Sequence, residues 1–146
     1  MIILDTDHVS ALQHPEAVRA RTLANRLAAS PDREIVITAV STEEQLRGWL
    51  ALLNRYRELR QQAEYYERLI SMIRFYNDWN VLGFDEDAQA QFVALRVSGV
   101  RIGPSDLKIA SVAITQKALL LSSNAKDFSR VPGLNFEDWT VSEEQP

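Results

Sequence analysis

The chain has 146 residues, of which 46% are apolar and 25% charged, a balance that is ordinary for a folded domain with a single core. It contains no cysteine and two histidines, which excludes a disulfide framework and thiolate metal sites and disfavours a zinc site built on imidazole. The formal net charge of −4 argues mildly against nonspecific nucleic-acid binding.

The N-terminal part of the chain predicts two strands with helices between them. Residues 1–4 are largely apolar and predict a short buried strand. Thr6 or Asp7 can cap a short helix after it, and Pro15 suits the first turn of a second helix. Residues 34–38 contain three consecutive β-branched apolar residues and predict the second buried strand.

The middle of the chain is predicted to be helical. Ser41 and Glu44 fit a capping box, in which the serine hydroxyl and the glutamate carboxylate each bond a free backbone amide of the first turn. Apolar positions then recur at helical spacing to about residue 79, with a break expected near residues 53–56. We therefore expect a helical arm or an extra layer at about residues 45–79.

The last part of the chain returns to alternating strands and helices. The predicted segments are a strand over 80–84, a helix over 85–97, a helix capped by Ser105, a strand over 118–121, a loop over 122–133, a possible edge strand at 135–136 and a polar tail over 142–146. Strands that alternate with helices indicate the α/β class, with a parallel sheet covered on both faces. We expect residues 1–146 to form one domain.

Four acidic residues lie where predicted elements begin or end. Asp5 follows the first strand, Glu44 lies in the first turn of the helix after the second strand, Asp106 lies in the first turn of the helix before the fourth strand, and Asp127 lies in the loop after that strand. Right-handed crossovers put the ends of all parallel strands at one edge, where these acids can meet. Clustered carboxylates repel one another unless a divalent cation neutralises them, and oxygen ligands favour Mg²⁺ or Mn²⁺.

Three of these acids also have a structural interpretation. Glu44 could complete its capping box, Asp106 could interact with a helix dipole, and Asp127 could cap the turn before Val131. Asp5 differs, because the end of a buried strand does not need an acid. The occurrence of all four at successive element ends favours a joint site.

Four short sequence motifs, each containing one of these acids, follow one another along the chain. They are Ile3-Leu4-Asp5-Thr6-Asp7, Thr38-x-x-Ser41-x-x-Glu44-x-x-x-Gly48, Ile102-Gly103-x-x-Asp106-x-x-Ile109-Ala110, and Ser123-Asn124-x-x-Asp127-Phe128-x-x-Val131-Pro132-Gly133-Leu134. In this order they resemble the motifs of PIN-domain ribonuclease toxins of the VapC type, over nearly the whole chain.

The resemblance implies a PIN-like three-layer α/β/α fold with a mostly parallel central sheet of four to five strands. It implies a metal-dependent endoribonuclease that hydrolyses RNA phosphodiester bonds, with Asp5, Glu44, Asp106 and Asp127 as catalytic residues and ligands of Mg²⁺ or Mn²⁺. It leaves two choices open, Glu43 in place of Glu44 and Asn124 in place of or beside Asp127. It further implies the toxin of a type II toxin–antitoxin pair, with a small cognate antitoxin protein as partner, and a homodimer.

Several neighbouring residues are candidates for supporting roles. Thr6 and Ser123 could orient a ligand or a water through their hydroxyl groups, and Asn124 could share the role of Asp127. We expect Asp7 to cap a helix and His8 to be a surface or capping residue rather than a general base. The candidate phosphate contacts, which lie beside the motifs, are Arg47, Lys108, Lys126 and Arg130.

Two other functions remain open from the sequence. Residues 2–7 also resemble the opening Asp-x-Asp of haloacid-dehalogenase-type phosphatases, in which Asp5 would be the nucleophile, although too little chain follows to supply the remaining motifs. The acids could instead hold a structural ion or a basic partner in a non-catalytic binding module. Asp5 comes too early for a signal peptide and no apolar run approaches a membrane span, so we expect a cytoplasmic protein with no membrane partner.

Overall fold

The computed structural model describes residues 1–142 of the protein, so most of the predicted polar tail lies outside the described residues. The strands are β1 (Ile2–Leu4), β2 (Ile35–Thr38), β3 (Val81–Leu82), β4 (Leu119–Leu121) and β5 (Phe136–Glu137). The helices are α1 (Thr6–Leu12), α2 (Val18–Ala29), α3 (Ala39–Arg55), α4 (Leu59–Asn77), α5 (Glu86–Val97), α6 (Pro104–Thr115) and α7 (Ala125–Phe128).

The five strands form one sheet in the order β3-β2-β1-β4-β5, and every pair of neighbours is parallel. The central strand β1 pairs with β2 and β4 in register, so that Leu4 lies beside Ile37 and Leu121. The predicted parallel sheet and its possible edge strand are therefore confirmed. Because all strands run the same way, the residues that follow β1, β2 and β4 come out at one edge, which we call the acidic edge.

Helices cover both faces of the sheet, because successive strand side chains point to opposite sides. Ile3 and its neighbours on β2 and β4 pack against α5, α6 and α7 in one buried cluster. Ile2 and Leu4 pack on the other face with residues of α1, α2 and α4. The predicted three-layer α/β/α arrangement is confirmed.

The helical segment in the middle of the chain is two helices, as predicted. α3 ends at Arg55, and α4 begins at Leu59. The rings of Tyr56 and Tyr65 stack at a centroid distance of 4.9 Å across this break. The far part of α4 packs on the sheet through Met72 and Tyr76. A helical arm at about residues 45–79 stays a prediction. That residues 1–146 form one domain stays a prediction.

Three predicted helix starts are wrong, each for a local reason. Thr38, rather than Ser41, caps α3: its hydroxyl accepts a hydrogen bond from the backbone N of Ser41 at 3.1 Å, because β2 passes into the helix without a loop. Pro15 lies in a turn, and α2 begins three residues later. Ser105 lies inside α6, whose cap is Gly103 with Pro104 at the first helical position that suits it.

Two smaller expectations are also corrected. Asp5, rather than Thr6 or Asp7, caps α1 by accepting a hydrogen bond from the backbone N of Thr6. The predicted loop over 122–133 contains the short helix α7. Within residues 1–142, no helix combines the length and apolarity needed to cross a membrane.

Candidate active site

Asp5 is the most buried acid at the acidic edge, with 6% of its surface exposed. Its Oδ1 accepts a hydrogen bond from the backbone N of Thr6 at 2.7 Å, and its Oδ2 accepts one from the Ser122 hydroxyl at 2.7 Å. The pKa of Asp5 is raised to about 6: burial is the largest cause, the charges of Asp7 and Asp106 add to the rise, and the two hydrogen bonds oppose it. The carboxylate is thus fixed in one orientation at a position that disfavours its charge.

Glu44 reaches the same edge from the first part of α3. The Thr6 hydroxyl donates a hydrogen bond to its Oε1 at 2.9 Å, so Glu44 does not complete the predicted capping box. The neighbouring Glu43 is turned to solvent, where its side chain pairs with Arg47 one helical turn away. Of the two glutamates that the sequence left open, Glu44 is therefore the one near the other acids.

Asp106 and Asp127 are brought together by Asn124. The amide Nδ2 of Asn124 donates to Oδ2 of Asp106 at 3.1 Å and to Oδ2 of Asp127 at 3.2 Å. Burial raises the pKa of Asp106, and the charges of Glu44, Asp127 and Asp7 add to the rise. Acids carried by α1, α3, α6 and α7 therefore interact electrostatically at one place.

Asp7 belongs to this site, although the sequence suggested only a cap. Its Oδ2 accepts hydrogen bonds from the backbone N of Ser123 at 2.8 Å and from the Ser123 hydroxyl, and its Oδ1 contacts Nδ1 of His8 at 2.8 Å. Burial alone would raise the pKa of Asp7, but the bonds from His8 and Ser123 outweigh burial and lower it to about 2. Asp7 is thus a stably charged carboxylate that holds the turn after β4.

His8 is fully buried, which corrects the expectation of a surface position. Its Nε2 accepts a hydrogen bond from the backbone N of Trp139 at 3.3 Å, so the C-terminal segment covers it. Carboxylates lie at both ring nitrogens: Nδ1 faces Asp7 at 2.8 Å, and Nε2 lies 3.4 Å from Oδ1 of Asp138. The contact spans 131 residues of sequence, and no local pattern could have indicated it.

The four predicted phosphate contacts have different surroundings. Arg47 is paired with Glu43, and the Lys108 ammonium lies 5.8 Å from the centre of the Phe84 ring. Lys126 is exposed on α7. Arg130 is exposed, and its Nη1 donates to the carbonyl oxygen of Arg101 at 3.3 Å. Whether any of them contacts phosphate stays a prediction.

The donor chemistry of the acidic edge suits a hard divalent cation, because every candidate ligand is a carboxylate or amide oxygen. Within the described residues 1–142, no three acidic or histidine side chains already stand in the arrangement of a metal site. Instead Thr6 lies against Glu44 and Asn124 lies between Asp106 and Asp127. The Asn124 amide places a positively polarised group where a cation would be favoured.

A sequence model of the PIN domain matches residues 2–134. The chain belongs to the PIN-domain family. Ribonuclease VapC1 of Haemophilus influenzae strain R2866 is 27% identical over 123 residues, which are 84% of this chain and 87% of that protein. Ribonuclease VapC2 of Rickettsia felis is 47% identical over 45 residues, which are 31% of this chain and 34% of that protein.

A solved structure shares the fold of this chain. The VapBC-1 structure from nontypeable Haemophilus influenzae superposes with a TM-score of 0.74 at 24% identity, covering 97% of this chain and 100% of that one. At this identity the likeness concerns the fold, and it confirms the predicted PIN-like architecture.

Proposed function

We propose that this protein is a VapC-type endoribonuclease, the toxin of a type II toxin–antitoxin pair, and that it hydrolyses RNA with Mg²⁺ or Mn²⁺ held by Asp5, Glu44, Asp106 and Asp127. Membership of the PIN-domain family and two relatives named as VapC ribonucleases support the activity. In the proposed reaction a water oxygen attacks phosphorus and the P–O3′ bond breaks, leaving a 3′-hydroxyl and a 5′-phosphate.

The observation that carries the proposal is the electrostatic state of Asp106. Besides burial, the charges of three acids from three other helices raise its pKa. Such a concentration of negative charge destabilises the folded protein by itself, and a bound cation would offset it. When bound, Mg²⁺ or Mn²⁺ supplies Lewis acidity that polarises phosphate oxygens and offsets charge developing during in-line displacement.

The chain's own residues orient the carboxylates. The Ser122 hydroxyl and the Thr6 amide hold both oxygens of Asp5, and the Thr6 hydroxyl holds Glu44. Asn124 sets the separation of Asp106 and Asp127, and its side-chain oxygen is available to the cation if the amide turns over. We assign Thr6 and Asn124 as positioning residues rather than as catalytic residues.

Membership of the PIN-domain family disfavours the phosphatase alternative. The PIN-domain match covers residues 2–134 and so includes Asp5, the residue that would be the nucleophile of the phosphatase. The hydrolase function of a PIN domain needs no covalent intermediate on Asp5. We therefore prefer attack by water at the acidic edge.

We further propose that the protein acts in the cytoplasm as a homodimer and is held inactive by a small cognate antitoxin. The resemblance to VapC toxins and the likeness to a VapBC structure support this setting. An antitoxin that inserts a cationic side chain among the carboxylates would replace the metal ion electrostatically. The antitoxin would then inhibit the enzyme by neutralising the carboxylates of the acidic edge in place of the metal ion.

The test is cleavage of a mixed-sequence RNA by the purified protein with Mg²⁺, with EDTA as the metal-free control. We expect Asp5→Asn and Asp106→Asn to lose activity by roughly 100-fold or more, because each removes a charged ligand of the ion. Asp87→Asn is the matched control, since Asp87 is an exposed aspartate in the first turn of α5. Equal cleavage by all four proteins would remove this proposal, and a phosphoryl group trapped on Asp5 would revive the phosphatase alternative.

A further inference from the structure

A second charged feature lies on two loops that adjoin α6 and α7, the helices of Asp106 and Asp127. Two loops, residues 98–101 before α6 and residues 129–132 after α7, border an open groove of about 620 Å³. Both loops adjoin elements that carry candidate ligands. Arg101 lies two residues before the cap of α6, the helix of Asp106, and the backbone N of Arg130 donates to the carbonyl oxygen of Asp127 at 3.0 Å.

The two arginine side chains that line this groove are held by backbone oxygens. Nη1 of Arg101 donates to the carbonyl oxygens of Arg96 at 2.8 Å and Val100 at 3.1 Å. Nη1 of Arg130 donates to the carbonyl oxygen of Arg101 at 3.3 Å. A guanidinium fixed in this way loses less side-chain entropy when it binds a ligand, and its remaining N–H groups keep the fork geometry that matches phosphate.

The groove has positive charge without an acidic counterpart. Arg47 faces Glu43 and Arg68 faces Glu64 in ion pairs, whereas the hydrogen-bond partners of Arg101 and Arg130, like that of Arg33, are backbone carbonyl oxygens. Within residues 1–142, no ion pair involves Arg101 or Arg130, and no acidic side chain lines the groove. Two guanidinium groups at one groove repel each other, and an anion bound between them would turn this electrostatic repulsion into a net attraction.

We propose that Arg101 and Arg130 form a phosphate-binding subsite for the RNA backbone next to the bond that is cleaved. The inference rests on the proposed ribonuclease activity, which requires RNA to reach the acidic edge. RNA is a polyanion, so it needs a positively charged surface close to that edge. The acidic edge repels a phosphodiester, and the groove attracts the neighbouring one. The pair thereby holds the RNA beside carboxylates that alone would reject it.

The test compares Arg101→Gln, Arg130→Gln and the double variant with the wild type. Arg33→Gln is the matched control: Arg33 is an exposed arginine whose Nη1 also donates to a helix carbonyl, that of Ala28 at 3.3 Å, but it precedes β2 at the opposite edge of the sheet. One readout is KM and kcat for RNA cleavage with Mg²⁺. The other is fluorescence anisotropy of a 12-nucleotide single-stranded RNA in EDTA, which does not require cleavage.

We expect each groove variant to raise KM and the RNA dissociation constant roughly 3- to 10-fold, with kcat within about twofold of the wild type. We also expect the slope of log affinity against log salt to fall by about 0.7 for each arginine removed, as for one lost phosphate contact to a single strand. Arg101→Lys should retain most of the salt slope, since it keeps the charge. Arg33→Gln should behave as the wild type.

The subsite would be overturned if both groove variants keep the wild-type salt slope and dissociation constant, or if Arg33→Gln changes them equally. A fall in melting temperature with an unchanged salt slope would identify Arg101 as a helix-capping residue only. If Arg101→Gln does not fold, Arg130→Gln decides, because its side chain makes a single bond to a loop carbonyl. Absence of cleavage by the wild type with RNA binding intact would reject the ribonuclease activity and leave the groove as the RNA contact.

Discussion

Replacing Asp5 by asparagine should stabilise the metal-free protein at neutral pH. The pKa of Asp5 is raised from 3.8 to about 6 in the folded protein, so the folded state holds a proton more tightly than the unfolded state. The contribution of Asp5 to the free energy of unfolding is therefore largest below pH 3.8 and is lost as the pH rises through 6. Asparagine keeps the shape of the side chain and is neutral throughout this range.

The size of the effect follows from the pKa difference. The pKa of Asp5 is 3.8 in the unfolded protein and about 6 in the folded protein. At about 1.36 kcal/mol per pKa unit, the ionised carboxylate therefore lowers the free energy of unfolding by about 3 kcal/mol. Asparagine retains an oxygen for the backbone N of Thr6 but replaces the oxygen that Ser122 bonds, which costs about 1 kcal/mol. We expect Asp5→Asn to raise the free energy of unfolding by about 1–2 kcal/mol at pH 7.5.

The assay is urea denaturation in EDTA at pH 4.5 and 7.5, for the wild type, Asp5→Asn and Asp7→Asn. The pKa of Asp7 is lowered to about 2, so its charge stabilises the fold above pH 3.8, and its replacement should destabilise the protein. Because the Asp7 side chain is 35% exposed, we reduce that loss to about 1 kcal/mol. A wild type more stable than Asp5→Asn at pH 7.5 without metal would refute the reasoning.

Three further outcomes follow from the same geometry. Raising the pH from 4 to 6.5 should lower the melting temperature of the metal-free wild type, because burial raises the pKa of both Asp5 and Asp106. Asp5→Asn should make the melting temperature less dependent on pH. A melting temperature that rises with pH would contradict the burial of uncompensated charge. Addition of Mg²⁺ at pH 7.5 should raise the melting temperature of the wild type but not that of Asp106→Asn, as scanning calorimetry would measure. At a Mg²⁺ concentration 100 times the dissociation constant, binding should add about 2.7 kcal/mol to the free energy of unfolding of the wild type. Thr6→Val should lower kcat for RNA cleavage roughly 5- to 20-fold with little change in melting temperature, because it releases Glu44 while keeping the side-chain volume, and unchanged kinetics would remove the positioning role of Thr6.

Most of the fold could be predicted because its strands are short apolar runs that end at polar residues. Residues 1–4 and 118–121 are continuous apolar segments, as expected of strands buried on both faces, and they pair in the centre of the sheet. The predicted start of α3 is wrong because two capping patterns overlap in the sequence. Thr38 precedes Ser41 by three residues, and Ser41 precedes Glu44 by three residues, so either Thr38 or Ser41 could cap the helix. The sequence does not reveal that β2 enters the helix directly, which gives the cap to Thr38.

The candidate site is harder to predict where it depends on contacts between distant segments. Asp5 could be identified from the sequence because it follows the buried central strand directly, where a carboxylate is costly unless it is hydrogen-bonded or holds a ligand, although its role as the cap of α1 was not predicted. The roles of Asp7 and His8 could not be identified in this way, since they depend on Ser123 and Trp139, more than a hundred residues away. Local patterns identify the acids that end elements, and tertiary contacts decide which of them share an environment.

The most direct test of the account is a crystal structure of the wild type with Mn²⁺, with anomalous differences measured at the manganese absorption edge. We predict an anomalous peak at the acidic edge, about 2.1 Å from carboxylate oxygens of Asp5 and Asp106, and none there in Asp106→Asn crystals. A wild-type protein that cleaves RNA in Mn²⁺ but shows its anomalous peak elsewhere, or Asp5 and Asp106 carboxylates turned away from a common ion, would contradict the account.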